Sequence, residues 1–362
     1  MLGLGQAREH HPRVMLSLIL FFGTSFYAPE SLVGQDFLYV ASQEDVTVSV
    51  IDTRNNELVE TVDLKKLGFS EAAKAHHTAV EPDGSFWYVS LISAGTILKF
   101  DRQNRLVGQS DFEAPGMLSL DPTSDRLYVG RSMAAVNPPQ RIGVIDRSSM
   151  EIEEVDVFFP RPHALTVDPI GGRFFAASLG QNSIAYASLG VEEVDLYNIE
   201  GTTHTLVQFA LSPNGDWMVA GGQMSGDLLI FDLTGPEPGV LKSVPIGGQP
   251  WHPSVSSDGK TVWVPNHSAN SVTVLDSESW TVIDVIRHPA LAEPHGSAIS
   301  PDGSTVYISG RNVAGTYQSV HGNQGRPGTV VAIDIDTRSV IKVIEIGRYA
   351  AGMSVSSRLV RD

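Results

Sequence analysis

The chain has 362 residues and no cysteine, and its 41 acidic residues outnumber its 25 lysines and arginines, giving a formal net charge of −16 at pH 7. This balance argues against a nucleic-acid-binding protein, because phosphate backbones require a basic surface and the sequence contains no basic patch. Without cysteine the chain forms no disulfide and uses no thiolate chemistry.

Residues 1–35 have the layout of a secretory signal. Arg8 and Arg13 precede the apolar run VMLSLILFF (14–22), which is followed by the small and aromatic residues GTSFYA. The apolar run is too short for a transmembrane helix, so we predict a leader that directs the protein to the periplasm or the medium. Two alternatives are a start at Met15 and retention of the segment as an uncleaved anchor.

Residues 36–362 repeat one unit of strands with a period of about 44 residues. The second strand of the unit occurs seven times, as FLYVAS (37–42), FWYVSL (86–91), RLYVGR (126–131), RFFAAS (173–178), DWMVAG (216–221), TVWVPN (261–266) and TVYISG (305–310). Turns such as Pro301-Asp302-Gly303 come before it, and these residues favour tight hairpins. Four antiparallel strands in each of seven units predict an all-β fold, a seven-bladed β-propeller.

The two ends of the repeat predict how the ring closes. The first unit begins directly with its second strand at residue 37, whereas AAGMSVSS (350–357) is a first strand without a following unit. Pairing between them would complete the first blade and remove the open edges of a linear array. We therefore predict that the C-terminal strand joins blade 1.

The histidines mark one face of this predicted ring. Connections into the first strand of a blade and loops between its second and third strands lie on the same side of a meander. All nine histidines after the leader fall in these connections, and none falls in an Asp-Gly turn. His76, His163 and His295 stand seven residues before the turn position, while His77 and His252 stand six residues before it. Equivalent positions of different blades surround the central channel, so these imidazoles are expected to converge.

A converging set of imidazoles predicts a transition-metal site. Imidazole nitrogens bind copper, zinc, iron or nickel, and Met117 and Met353 at corresponding points would favour copper. The alternative for each of these histidines taken singly is a structural role, in which the side chain at the start of a strand forms hydrogen bonds and binds no metal. The predicted metal ligands are His76, His77, His163, His204, His252 and His295.

The sequence has two family resemblances, one that concerns the fold and one that concerns the histidines. The segments TVWVPNHSANSVTVLD (261–276) and EPHGSAISPDGSTVYISG (293–310) resemble the repeats of YVTN-type seven-bladed propellers. The adjacent pair His76-His77, followed by single histidines in later blades, resembles the propeller domain of nitrous oxide reductase. That resemblance implies a histidine-held copper cofactor and an oxidoreductase, although this chain lacks the cysteine-bearing copper domain of that family.

A metal-free hydrolase is an alternative. The segment RPHALTVDPIGGRFFAAS (161–178) resembles the proline-histidine strand entry of propeller lactonases. By that resemblance His163 would act as a base on a cyclic ester, and Arg131 or Arg311 would stabilise the oxyanion.

A third alternative is a non-catalytic scaffold that binds a small molecule or a protein partner on the histidine face. The insertion RNVAGTYQSVHGNQGRPG (311–328) is the longest departure from the repeat, and long loops on rigid scaffolds often carry recognition. The predicted ligand-contacting residues are Arg131, Trp251, His267, Arg311, Tyr317 and His321.

Overall fold

The computed structural model of the protein describes residues 36–168, 170, 172–190, 193–322 and 325–356. Within these residues it has seven antiparallel sheets of four strands each and two short 3₁₀ turns, Leu64–Leu67 and His267–Ala269. No helix of this described part is long and apolar enough to cross a membrane. The predicted leader, residues 1–35, lies outside the described residues.

The strands of each blade follow one another from the channel to the rim. Blade 1 contains β28 (Ala350–Val355), β1 (Phe37–Ser42), β2 (Thr47–Asp52) and β3 (Glu57–Asp63). Blade 2 contains β4 (Ala75–Val80), β5 (Phe86–Leu91), β6 (Thr96–Asp101) and β7 (Leu106–Asp111). Blade 3 contains β8 (Pro115–Leu120), β9 (Arg126–Arg131), β10 (Arg141–Asp146) and β11 (Ile152–Asp156).

The remaining four blades have the same order. Blade 4 contains β12 (Pro162–Val167), β13 (Arg173–Ser178), β14 (Ser183–Ser188) and β15 (Asp195–Asn198). Blade 5 contains β16 (Leu206–Leu211), β17 (Trp217–Gly222), β18 (Asp227–Asp232) and β19 (Gly239–Pro245). Blade 6 contains β20 (Ser254–Val255), β21 (Thr261–Asn266), β22 (Ser271–Asp276) and β23 (Thr281–Arg287). Blade 7 contains β24 (Pro294–Ile299), β25 (Thr305–Gly310), β26 (Gly328–Asp334) and β27 (Val340–Ile346).

The ring is closed, as the sequence predicted. The first strands contact one another in the order β28, β4, β8, β12, β16, β20, β24 and back to β28, so they surround one axis. β28 pairs antiparallel with β1, with Val40 opposite Met353 and Leu38 opposite Val355. The seven-bladed propeller closed by its C-terminal strand is therefore confirmed.

The hydrophobic core lies between neighbouring blades. The middle strands are buried on both faces because each blade packs against the next, whereas an outermost strand such as β3 is mostly exposed. Tyr39 of blade 1 stacks on Trp87 of blade 2 with ring centroids 5.0 Å apart, and Trp87 stacks on Phe100 at 4.2 Å. Interdigitation of this kind fixes the spacing of the blades, and with it the positions of the first strands around the axis.

Candidate functional site

Each innermost strand begins with an irregular turn of the chain. In all seven blades a non-glycine residue with positive φ immediately precedes the first residue that pairs with the second strand. This conformation costs an L-residue about 1–2 kcal/mol, so its recurrence marks a built feature of the unit. These residues are Lys74, Ala114, Arg161, Thr205, Gln249, Glu293 and Tyr349.

A β-bulge follows this turn and carries the histidines. In blade 2, Ala75 pairs with Leu91 and Thr78 with Val89, so His76 and His77 together oppose a single residue. On a regular strand, two adjacent side chains point to opposite faces. The bulge removes that restriction, and both histidines can approach the axis.

Equivalent bulges place the other histidines. In blade 4 the register shifts between Pro162 and Ala164, the two residues that flank His163. In blade 7 it shifts between Pro294 and Ser297, which flank His295 and Gly296. The spacing that singled out these histidines in the sequence therefore corresponds to one structural position.

Five buried histidines meet at the axis and are called here the axial histidines: His76, His77, His163, His252 and His295. The ring centroid of His76 lies 6.1 Å from that of His163 and 5.7 Å from that of His295. The centroid of His252 lies 4.5 Å from that of His295 and 6.2 Å from that of His77. The structure thus brings together five of the six predicted metal ligands.

A glycine of the closing strand makes room for this cluster. A Cβ atom at Gly352 would overlap the imidazole of His77 and would lie 2.8 Å from the carbonyl oxygen of His76. Gly352 stands three residues after Tyr349, the position that His77 and His252 occupy in their own blades. The predicted first strand at the C-terminus therefore shapes the site as well as closing the ring.

Hydrogen bonds orient two of the axial histidines. Nδ1 of His163 lies 2.7 Å from the carbonyl oxygen of Arg131, which can only accept, so Nδ1 carries the proton and Nε2 has a free lone pair. Nδ1 of His76 lies 2.9 Å from Nε2 of Gln43, a residue that the sequence analysis did not single out; the amide nitrogen donates, so Nδ1 accepts and Nε2 of His76 carries the proton. A metal-binding histidine commonly donates its second N–H to an acceptor, as His163 does, and His76 would do so if the Gln43 amide turned to present its oxygen.

Three axial imidazole nitrogens are buried and have no hydrogen-bond partner in the described part of the chain: Nε2 of His76, Nε2 of His163 and Nδ1 of His295. His77 differs from these. Its Nδ1 accepts a hydrogen bond from the backbone N–H of Leu118 at 3.4 Å, which leaves the proton on Nε2. His77 therefore presents a donor, and so does His76 while its Nδ1 accepts from the Gln43 amide, whereas His163 and His295 can present lone pairs.

Burial keeps the axial histidines neutral. It lowers the pKa of His77 to about 3 and that of His163 to about 4, and it holds the pKa values of His76, His252 and His295 well below the ordinary value of a histidine. Repulsion between neighbouring imidazoles adds to the lowering at His76, His77, His252 and His295. Neutral imidazole is the form that binds a metal ion or accepts a proton.

A stack of four side chains adjoins the axial histidines and is called the Arg311 stack: Trp251, His267, Arg311 and Tyr349. The rings of Trp251 and His267 stack with centroids 4.1 Å apart, and Trp251 meets the ring of His295 edge to face at 4.8 Å. The guanidinium carbon of Arg311 lies 4.1 Å from the ring centroid of Tyr349 and 5.5 Å from that of Trp251. Tyr349 was missed in the sequence, although it precedes the closing strand as Lys74 precedes β4.

Two predicted residues lie apart from these contacts. His204 makes none of the ring contacts among the described residues that join the axial histidines, and its Nδ1 lies 2.9 Å from the hydroxyl of Ser225. The guanidinium of Arg131 is buried against Phe112 and forms ion pairs with Glu113 and Glu154 at 3.8 and 3.2 Å. Arg131 thus serves the site through its carbonyl oxygen, which orients His163.

Of the three predicted residues in the blade 7 insertion, Tyr317 and His321 lie away from the axial histidines. Tyr317 is buried in the core of blades 6 and 7, and its hydroxyl lies 3.0 Å from Oε1 of Glu345. His321 is exposed, and its backbone N–H donates to Ser319. Neither side chain contacts the axial histidines through any bond or ring contact found in the described part of the molecule.

The axial nitrogens do not yet converge on one point. Within the described residues, no group of three or more His, Asp or Glu side chains is arranged to hold a metal ion as it stands. The rings are close neighbours, and coordination of a shared ion would require rotation about their side-chain torsions.

No protein-family model and no curated protein matches this chain. Solved structures match it in fold: a functionally unknown protein from Desulfotomaculum acetoxidans has a TM-score of 0.71 at 15% identity, covering 89% of this chain and 99% of that one. A Bacteroides uniformis protein provisionally assigned as a 6-phosphogluconolactonase has a TM-score of 0.65 at 13% identity, with coverage of 89% and 99%. Kuenenia stuttgartiensis hydrazine synthase has a TM-score of 0.62 at 16% identity, with coverage of 82% and 95%. Identities this low establish the fold of the chain and not its activity.

Proposed function

We propose that the axial histidines bind one transition-metal ion, with copper as the preferred metal, in an exported propeller that acts as an oxidoreductase. His76, His163 and His295 are the proposed ligands, and His252 is the neighbour best placed to be a fourth. The supporting observation is the set of three buried, unpartnered imidazole nitrogens on adjacent rings.

The spacing of the rings fits shared coordination. With metal–nitrogen bonds of about 2 Å, two imidazoles on one tetrahedral ion have ring centroids about 5–6 Å apart. The ring centroid of His76 lies 5.7 Å from that of His295 and 6.1 Å from that of His163. Modest rotations of these rings would therefore bring their nitrogens together. Unpartnered buried polar atoms are costly, and a bound metal ion would satisfy them.

Copper is preferred on chemical grounds. The donor set is entirely imidazole nitrogen, since the chain has no cysteine, and among divalent first-row metals such a site binds Cu²⁺ most tightly. Met117 and Met353 pack inside hydrophobic clusters and are not needed for this argument. A bound copper ion would supply one-electron chemistry, for which a small-molecule substrate and an electron-transfer partner are proposed at the histidine face.

Metal content tests the proposal directly. The mature chain, produced by export into a copper-supplemented periplasm, is expected to contain about one metal ion per molecule by mass spectrometry. His163→Ala and His295→Ala should each abolish stoichiometric binding, because each removes one of the three unpartnered nitrogens. Electron paramagnetic resonance of the copper form should show nitrogen hyperfine structure.

His204→Ala is the matched control, since His204 lies outside the ring contacts of the axial histidines and should leave the metal content unchanged. His77→Ala should weaken binding less than His76→Ala, because the Leu118 N–H can only donate to Nδ1 of His77, whereas the Gln43 amide can turn to present its oxygen to Nδ1 of His76 and so free Nε2. Wild-type protein without metal, or His163→Ala protein with full metal, would rule out this site. A non-catalytic ligand-binding propeller would then be the better description.

A metal-free lactonase is the second candidate function, and the structure offers it a base but a weak one. Nε2 of His163 is free to act as a base, but burial lowers its pKa to about 4, which makes it a weak one near neutral pH. Of the two arginines considered for the oxyanion, Arg131 is bound to Glu113 and Glu154. Esterase activity that survives removal of metal by a chelator would favour this candidate.

A further inference from the structure

Arg311 is a cation beside the site, and among the residues that the structure describes it forms no ion pair with a carboxylate. Its Nη1 lies 3.3 Å from Nε2 of His267, and its Nε is buried without a hydrogen-bond partner in the described residues. The rings of Tyr349 and Trp251 hold the guanidinium in place at 4.1 and 5.5 Å. Other buried guanidinium groups of the protein, such as that of Arg131, are neutralised by carboxylates.

A second unsatisfied donor belongs to the same stack. Trp251 is 5% exposed, and its Nε1 has no hydrogen-bond partner in the part of the chain that the structure describes. Indole and guanidinium N–H groups donate and never accept, so neither group can satisfy the other. Both require an acceptor, and a negatively charged acceptor would also balance the charge of Arg311.

Arg311 joins the stack to a cavity that carries several charged groups. Trp251 connects Arg311 to the axial histidines, because its ring lies 5.5 Å from the guanidinium carbon and 4.8 Å from the ring of His295. The cavity has a volume of about 260 Å³ and is also lined by Tyr349, Arg326, Glu44 and Arg348, of which Arg348 pairs with Asp45 and Glu44. Clefts lined mainly by one sign of charge concentrate ions of the opposite sign.

We propose that Arg311, with the indole N–H of Trp251, binds a small oxyanion and holds it beside the axial histidines. The ligand is either an inorganic oxyanion or the carboxylate of a small organic molecule, since both present acceptor oxygens to a guanidinium fork. As a substrate site this inference rests on the proposed function, whereas binding of the anion itself requires no metal.

Titration calorimetry with sodium nitrite and sodium acetate, at constant ionic strength, tests the site in protein as purified and after treatment with a chelator. Wild-type protein should bind one of the two saturably. Arg311→Gln should weaken that binding at least about tenfold, because it removes a charge-assisted interaction. Arg311→Lys should fall in between, since an ammonium group keeps the charge and loses the fork. Tighter nitrite binding identifies an inorganic oxyanion, and tighter acetate binding identifies an organic carboxylate.

Arg141→Gln is the control, because Arg141 is an exposed residue of β10 that pairs with Asp156. Trp251→Phe provides an independent variant that removes the N–H and keeps an aromatic ring, and it should also weaken the binding. The site is overturned if wild-type protein binds neither probe, or if Arg311→Gln and Trp251→Phe proteins bind with wild-type affinity. Metal content of the same samples reports separately on the proposed metal site.

Discussion

The individual histidines differ in what their surroundings allow them to do. His163 and His77 are both buried at bulges, yet one has a free Nε2 lone pair and the other a protonated Nε2. The difference arises from backbone groups of other blades, the Arg131 carbonyl and the Leu118 N–H. The spacing of histidines in the sequence could predict their convergence, but it could not assign these protonation patterns, because the partners lie 32 and 41 residues away.

The buried neutral imidazoles predict a pH-dependent stability of the metal-free protein. The pKa of His163 falls from an unfolded value of about 6.5 to about 4 on folding, so the unfolded chain binds more protons between these values. The contribution of His163 is therefore complete above pH 6.5 and is lost as the pH falls towards 4, by about 3 kcal/mol at most.

Denaturant unfolding of wild-type and His163→Gln protein at several pH values between 4 and 7 measures this effect. Carboxylates titrate in both proteins, so the difference between the two free energies of unfolding isolates His163. That difference should shrink as the pH falls. A difference independent of pH would show that His163 is not held neutral by the fold.

At the scale of the element, the important feature is the turn and bulge at the start of each innermost strand. The repeated motif in the sequence predicted the second strand of each blade, and six of the seven agree with the structure to the residue, while that of blade 5 is shifted by one residue to Trp217–Gly222. The recurring positive φ could not be predicted, because the seven residues that adopt it share no side-chain type. The innermost strands contact one another around the axis, so each of these turns begins a strand that lies beside a neighbouring blade.

Lys74 offers a test of this turn, since its side chain is exposed and its φ is 58°. Lys74→Val should lower the free energy of unfolding by about 1–2 kcal/mol, because a β-branched side chain clashes in the left-handed region. Lys74→Asn should have little effect, since asparagine tolerates that region. The denaturation midpoints of the two variants decide the matter, and equal midpoints would mean that the turn is not required.

For the whole molecule, closure of the ring by β28 is the decisive event. This strand pairs with β1, contributes Ala350 and Met353 to the core of blades 1 and 7, and supplies Gly352 to the axial site. The residues that it joins are more than 300 positions apart in the chain, so pairing has a substantial entropic cost before the contacts form. Stability and the geometry of the site therefore depend on the same strand.

Truncation after Tyr349 should destabilise the protein by roughly 5 kcal/mol or more, because it removes several buried side chains and exposes the edge of β1. Thermal unfolding and size-exclusion chromatography should show a lower midpoint and aggregation. A truncation after Ser356 keeps β28 and should behave like the full chain. A synthetic peptide of residues 350–356 should restore the midpoint of the protein truncated after Tyr349. If that truncated protein is already as stable as the full chain without the peptide, closure by β28 is not essential.

The sequence by itself determined the number of blades, the strands of each blade, the closure of the ring and the face that carries the histidines. These properties follow from the local periodicity of the sequence and from its repeat, because equivalent positions of the repeated units occupy equivalent places around a ring. Tertiary structure alone decided that His204 lies apart from the other five histidines, which nitrogens are free, and that the guanidinium of Arg131 is paired with carboxylates whereas that of Arg311 lies beside the site. Those outcomes depend on contacts between blades. A polar group can find its hydrogen-bond partner in another blade, and a local sequence pattern does not show which residue that partner is.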